Sequence, residues 1–254
     1  MEEGKVAGLK SLTILLGSIG VITIVGVTLY LLLAGPNYCP EIDNMNESNP
    51  ITEFSVQIVG DSLFGADADG CASVSTFMSL ILWLQVEDNS VPGATVIGDE
   101  SIPEQYVSGD WNWTVIDGGG NDIMPHCIEN DCDEVLDEII TDSGEGLIPD
   151  LVEKAQNDGS NVILIGYYSV PKGSEYEPVI LEVEIVNDRY NEFAKANEGV
   201  YFISLKDVMS PEETPELYSE DLVHPSDDGH FAIGEHIANF IIDEHKKETG
   251  MWFR

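Results

Sequence analysis

Apolar and polar positions along the chain fall into three regimes. Ser11 to Gly35 is an unbroken run of 25 uncharged residues, rich in Leu, Ile and Val. As a helix rising about 1.5 Å per residue it measures roughly 37 Å, enough to cross a bilayer core of about 30 Å. Pro36 to Pro50 (PNYCPEIDNMNESNP) is rich in proline and asparagine and reads as a linker. From Ile51 onward, short β-type runs alternate with longer helical stretches. Strands are predicted at Phe54–Val59, Ala94–Ile97, Trp113–Ile116, Val162–Tyr167 and Val200–Ile203. The Val162–Tyr167 run is continuously apolar, as the centre of a buried parallel sheet requires. Helices are predicted at Val74–Val86, Asp133–Ile140 and Ile148–Gln156. A further one is marked by Val183, Val186, Tyr190 and Phe193. The last carries Ile233, Ile237, Phe240 and Ile241 on one face, with Ser226 or Asp227 as its cap. Alternating β and α units imply one three-layer α/β/α domain over residues 51–254, built on a parallel sheet of about five strands.

Charge gives the apolar run a direction. Lys5 and Lys10 precede it and no Lys or Arg follows until Lys154. The positive-inside bias therefore leaves residues 1–10 in the cytoplasm, makes 11–35 a transmembrane signal-anchor helix and puts everything after Pro36 outside. The competing reading is a cleaved signal peptide and a secreted domain. It fits less well, because the apolar core is long and Pro36 follows Ala34-Gly35 where a clean cleavage site is wanted.

The chain of 254 residues holds 10 Lys+Arg against 47 Asp+Glu, a formal net charge of −37. Glu2 and Glu3 cancel Lys5 and Lys10, so the acidity belongs wholly to the part after the apolar run. Such a polyanion repels phosphate backbones, which excludes sequence-independent nucleic-acid binding and disfavours docking of the domain on anionic lipid. Four cysteines, Cys39, Cys71, Cys127 and Cys132, follow the anchor, an even number in a disulfide-permissive compartment. Three pairings are possible; Cys127 with Cys132 would close a short local loop, with Cys39 and Cys71 as the complementary pair. Scattered spacing argues against a zinc site.

Three clusters fall at predicted strand ends, where open parallel sheets gather their functional groups. Gly60-Asp61-Ser62 follows the first strand and projects a hydroxyl that needs a neighbouring base to become a nucleophile. Gly119-Gly120-Asn121-Asp122 follows the third; its glycines allow close backbone approach and Asn121 offers an amide donor. Asp221-Leu222-Val223-His224-Pro225 precedes the last helix, with a carboxylate three residues before an imidazole that it can orient. Each cluster alone is an ordinary turn or surface pair.

In this order and at these positions the clusters resemble the GDSL/SGNH hydrolase family over nearly all of residues 51–245, including the closing stretch DLVHPSDDGH. The resemblance implies a flavodoxin-like α/β/α fold and a serine esterase or lipase that works without metal or organic cofactor. It implies Ser62 as nucleophile, His224 as general base and then acid, and Asp221 as the partner of His224. The oxyanion would be held by the Ser62 N–H, the Asn121 amide and a glycine N–H. In the family that glycine follows the second strand within an asparagine-containing stretch. With Ala94–Ile97 taken as the second strand, it falls on Gly98, with Gly109 as the rival. Expected substrates are small-molecule, glycan or lipid esters. An O-acyltransferase and a catalytically silent anchored envelope protein are the alternatives.

The remaining motifs carry less. His224, His230, Asp227 and Asp228 could gather a metal, but His230 suits the first turn of the last helix. His126 reads as a surface histidine. Asp67, Asp69 and Gly70 resemble a calcium loop whose twelfth position, Thr76, is the wrong residue. Trp111 and Trp113 suit either a strand start or the flank of a bound acyl or sugar group. Asn46-Glu47-Ser48 and Asn112-Trp113-Thr114 match the glycosylation pattern.

Overall fold

A computed structural model describes residues 54–65, 72–128 and 132–250. The apolar run 11–35, the linker 36–50, Cys39, Cys71 and the Asp67–Gly70 segment lie outside the described residues. Among the described residues no helix is long and apolar enough to cross a membrane.

Five parallel strands form one sheet in the order β2-β1-β3-β4-β5. They are β1 (Val56–Val59), β2 (Val86–Asp88), β3 (Trp113–Ile116), β4 (Asn161–Gly166) and β5 (Val200–Ser204). Between and after them run α1 (Val74–Leu82), α2 (Ile102–Gln105), α3 (Gly120–Cys127), α4 (Asp133–Ile139), α5 (Leu147–Asn157), α6 (Ile180–Ala196) and α7 (Asp227–Thr249). Because strand side chains alternate in direction, the sheet feeds two cores. Val56, Ile58, Trp113, Val115, Ile163 and Ile165 pack with α1 and α7 on one face. Val59, Ile116, Val162 and Leu164 pack with α3 to α6 on the other. The interior strand β4, flanked by β3 and β5, is apolar on both faces for this reason, and its Val162–Ile165 stretch is fully buried.

Two predicted elements differ from the observed ones. The helix predicted to Val86 ends at Leu82, where Trp83 takes a left-handed conformation, and Val86 opens β2. One largely apolar run thus serves a helix and then a strand, with Gln85 the only polar residue between them. Ala94–Ile97 is not a strand. Its Val96 and Ile97 N–H groups donate to the buried Asp122 carboxylate at 2.8 and 2.9 Å, so α3, not a neighbouring strand, satisfies them. Cys127 and Cys132 form a disulfide between α3 and α4. Asn112 accepts the Ser55 N–H at 2.7 Å and Thr114 is buried in β3, so this triplet forms the start of a strand. Trp113 is buried against Tyr201 and Phe240 at the amino-terminal end of β3, away from the carboxyl ends of the strands, and flanks no ligand position there.

Candidate active site

The turn after β1 is built by exclusion. A Cβ on Gly60 would lie 1.6 Å from Asp117 Oδ1 and 2.7 Å from Phe64, so only glycine fits. That closeness lets Asp117, at the end of β3, accept the Asp61 N–H at 2.9 Å. Asp61 folds back to accept the Leu63 N–H at 2.9 Å, which turns the chain sharply and leaves Ser62 half-buried at the sheet edge.

His224 comes to this serine from 162 residues away, with Nε2 3.0 Å from Ser62 Oγ. Its Nδ1 lies 2.6 Å from Asp221 Oδ2. Between them Leu222 adopts a left-handed φ of 61°, a strained conformation for a branched side chain. This curls the loop so that Asp221 Oδ1 accepts the N–H groups of Val223 and His224 and the Ser219 hydroxyl, each at 2.9 Å. The loop is tied down from outside. Tyr168 donates to Val223 O at 2.5 Å, Tyr218 donates to Ser169 O at 2.6 Å, and Ser226 caps α7. Burial pushes the Asp221 carboxyl up, but the four donors outweigh it and hold the pKa well below the ordinary carboxylate range. A hydroxyl, an imidazole and a permanently ionised carboxylate thus stand in one hydrogen-bonded series. Such a series can take a proton from the hydroxyl and stabilise the imidazolium that results.

Asn121 sits in the first turn of α3, which opens at Gly119 with a φ of +107°. Its Nδ2 donates to Ala94 O at 2.9 Å and to Asp61 Oδ2 at 3.4 Å, while its Oδ1 accepts the Tyr176 hydroxyl at 3.3 Å. Ser62, Asn121 and His224 line one cleft, closed by Tyr167, Tyr168, Val170, Tyr176, Ile180, Val183 and Val223 and enclosing about 60 Å³. Its wall is mostly carbon. Glu184, also on the wall, is paired with Lys206.

Gly98 and Gly109 do not line this cleft, and Gly93 is not among its lining residues either. Gly93 lies on the loop after β2, which bonds to the nucleophile turn through Val91 N–H to Gly60 O at 3.0 Å and to Asn121 through Ala94 O. The stretch Asn89-Ser90-Val91-Pro92-Gly93 follows β2 directly and contains an asparagine.

The buried carboxyls Asp61 and Asp117 were not weighed from sequence. Burial pushes both up. Asp117 rises further, because the Asp61 charge stands beside it and its Oδ2 has no hydrogen-bond partner. Asp61 is held back by the Leu63 N–H and the Tyr167 hydroxyl. Asp117 is therefore the member of the pair pushed further above the ordinary carboxylate range. His230 is buried in the first turn of α7 rather than beside His224, and His126 is exposed at the end of α3. Among the described residues no group of three His, Cys, Asp or Glu is arranged to hold a metal.

Residues 58–232 match the GDSL-like lipase/acylhydrolase family. The chain belongs to that family. Solved structures of the same fold include a carbohydrate acetylesterase from Sinorhizobium meliloti, 14% identical, with a TM-score of 0.54 over 74% of this chain and 98% of that one. A catalytic mutant of an acetylxylan esterase from Geobacillus stearothermophilus is 18% identical, with a TM-score of 0.55 over 74% and 94%. A lipase/acylhydrolase from Enterococcus faecalis is 18% identical, with a TM-score of 0.54 over 74% and 95%. No curated protein matches the chain. At these identities the structural likeness speaks for the fold, while the family match carries the assignment as a GDSL-like acylhydrolase.

Proposed function

We propose that the protein is a serine carboxylic ester hydrolase that forms an acyl-enzyme on Ser62. The observation that carries this reading is the series Ser62 Oγ–His224 Nε2 at 3.0 Å and His224 Nδ1–Asp221 Oδ2 at 2.6 Å, opening on an apolar cleft. His224 takes the serine proton as Ser62 attacks the ester carbonyl and returns it to the departing alcohol. Water then enters by the same route in reverse and releases the acid. Asp221 holds the imidazole with its Nδ1 proton inward. The oxyanion is assigned to the N–H of Ser62, the Asn121 amide and the N–H of Gly93. Gly93 replaces Gly98 because its loop is bonded to both the nucleophile turn and Asn121.

The cleft favours small, uncharged acyl esters. Its small volume of about 60 Å³ and largely carbon wall suit an acetyl group better than a long chain. The named activities of the acetylesterases among the structural neighbours agree. Its one lining carboxylate outside the series and Asp61 is matched by Lys206, and the internal segments outside the described residues, 66–71 and 129–131, contain no Lys or Arg. An anionic substrate would find no cation waiting. The apolar run 11–35 supports a membrane-anchored, extracytoplasmic placement, with O-acylated glycans or neutral lipid esters within reach.

Fluorophosphonate labelling and hydrolysis of nitrophenyl esters from acetyl to long acyl, beside Ser62→Ala, test the reading. Labelling and turnover that vanish in the variant, with acetyl preferred, are expected. A folded protein that neither labels nor hydrolyses any ester refutes it.

A further inference from the structure

Asn121 is engaged before any substrate arrives. One Nδ2 proton is held by Ala94 O at 2.9 Å, and the other points to Asp61 Oδ2 at 3.4 Å, beyond ordinary hydrogen-bond length. The same Asp61 oxygen accepts the Tyr167 hydroxyl at a full-strength 2.9 Å. Tyr167 is itself fixed at three points. Its N–H donates to Asn187 Oδ1 at 2.8 Å, its carbonyl accepts Asn187 Nδ2 at 3.1 Å, and its hydroxyl accepts the Gly120 N–H at 3.0 Å. The ring therefore spans from α6 to the first turn of α3 and the nucleophile turn. On the far side of the amide, Tyr176 donates to Asn121 Oδ1, so two acceptors on the nitrogen and one donor on the oxygen fix which end is which.

We infer that Tyr167 and Tyr176 are positioning residues that preset the Asn121 amide for oxyanion binding, Tyr167 by occupying the Asp61 oxygen that otherwise captures an Asn121 proton. The inference rests on the reading of Asn121 as an oxyanion donor. Asp61 is a buried carboxylate and must be satisfied by someone. With Tyr167 in place the hydroxyl does so, and the second Asn121 proton stays loosely held and available to the developing negative charge. Without the hydroxyl, Asn121 is the remaining donor to that oxygen. The amide then turns into the Asp61 bond and away from the transition state. Tyr176 prevents the other failure, a flip that presents Oδ1 to the oxyanion. A donor that is aimed before the reaction costs nothing to reorganise during it.

The test compares the full-length wild type, Tyr167→Phe, Asn121→Ala and the double variant on nitrophenyl acetate, with Tyr176→Phe alongside. Losing one oxyanion donor typically costs about 10²–10³ in kcat. Tyr167→Phe, which diverts the donor without deleting it, is expected to lower kcat about tenfold with KM within about twofold. Added to Asn121→Ala it is expected to cost nothing more, because its effect passes through that amide. A purely structural role would lower both backgrounds alike, and that result overturns the inference, as does an unchanged kcat. Should Tyr167→Phe not fold, Tyr176→Phe decides by the same criteria, since its hydroxyl stands at the cleft rim. The Asn121 side-chain amide protons, identified in ¹H–¹⁵N spectra by their loss in Asn121→Ala, give a readout that needs no turnover. A downfield shift of one of them in Tyr167→Phe, as its bond to Asp61 shortens, supports the inference; an unmoved pair refutes it. A wild type that hydrolyses no ester sinks the esterase reading instead, and the amide shift alone then judges Tyr167.

Discussion

Replacing Asp221 by Asn changes one atom and should disable the base while leaving the loop intact. Asp221 Oδ1 accepts three donors, from Ser219, Val223 and His224, while Oδ2 faces His224 Nδ1. An amide has one oxygen to place. Turning its nitrogen toward the three donors would break three bonds to keep one, and even discounted for the half-exposed position three outweigh one. The oxygen therefore stays with the loop, and the amide N–H₂ points at Nδ1. His224 must then accept there and carry its proton on Nε2, aimed at Ser62, so that it no longer serves as a base. The same tautomer trap in a serine protease costs about 10⁴ in kcat, equivalent to about 5.5 kcal/mol of transition-state stabilisation. Steady-state hydrolysis of nitrophenyl acetate from pH 5 to 9 is the assay. Because its donors hold Asp221 well below the ordinary carboxylate range, it stays ionised throughout, so no part of the loss comes from titration of Asp221 itself. An Asp221→Asn protein within tenfold of wild-type kcat would refute the reasoning.

Three further outcomes are expected. Asp117→Asn keeps the oxygen that accepts the Asp61 N–H and removes an ionisation the fold resists. Since burial raises the folded pKa of Asp117 above an unfolded value of about 3.9, the wild type loses stability relative to the variant as pH rises past 4. The loss is about 1.4 kcal/mol per pH unit up to the folded pKa; denaturation curves from pH 4 to 8 that keep a constant difference argue against a protonated Asp117. Gly60→Ala forces a Cβ to within 1.6 Å of Asp117 Oδ1 and should cost about 3 kcal/mol, lowering Tm by at least about 6 °C, with fluorophosphonate labelling lost; a wild-type Tm and normal labelling would contradict the packing. Finally, a net charge of −37 should make Tm rise between 0.1 and 1 M NaCl as the screening length falls from about 10 to about 3 Å. A flat or falling Tm would mean that surface repulsion is not limiting stability.

Much of this molecule could be read one segment at a time. The strand patterns at Trp113–Ile116 and Val162–Ile165 and the apolar face of α7 are local properties of consecutive residues, and they alone imply a parallel sheet between helical layers. The motif residues Ser62, Asn121, Asp221 and His224 were visible for the same reason, each within a short signature. Whatever depends on contact between distant segments was not. The apolar stretch from Val74 to Val86 has no internal mark to say where helix ends and strand begins; Trp83 in a left-handed turn decides it. Ala94–Ile97 looks like a strand until Asp122, from another element, takes its N–H groups. With that strand misplaced, the glycine expected after the second strand fell on Gly98 rather than on the loop that follows β2. The Tyr167–Asp61 bond joins residues 106 positions apart, and the upward pKa shifts of Asp61 and Asp117 come from burial that neither residue's neighbours in sequence announce. Periodicity and short motifs are written by the chain itself, because steric and hydrophobic preferences act over a few residues. Aim, protonation and availability of a donor are settled by which groups the fold seals together away from water, where each polar atom must find its partner.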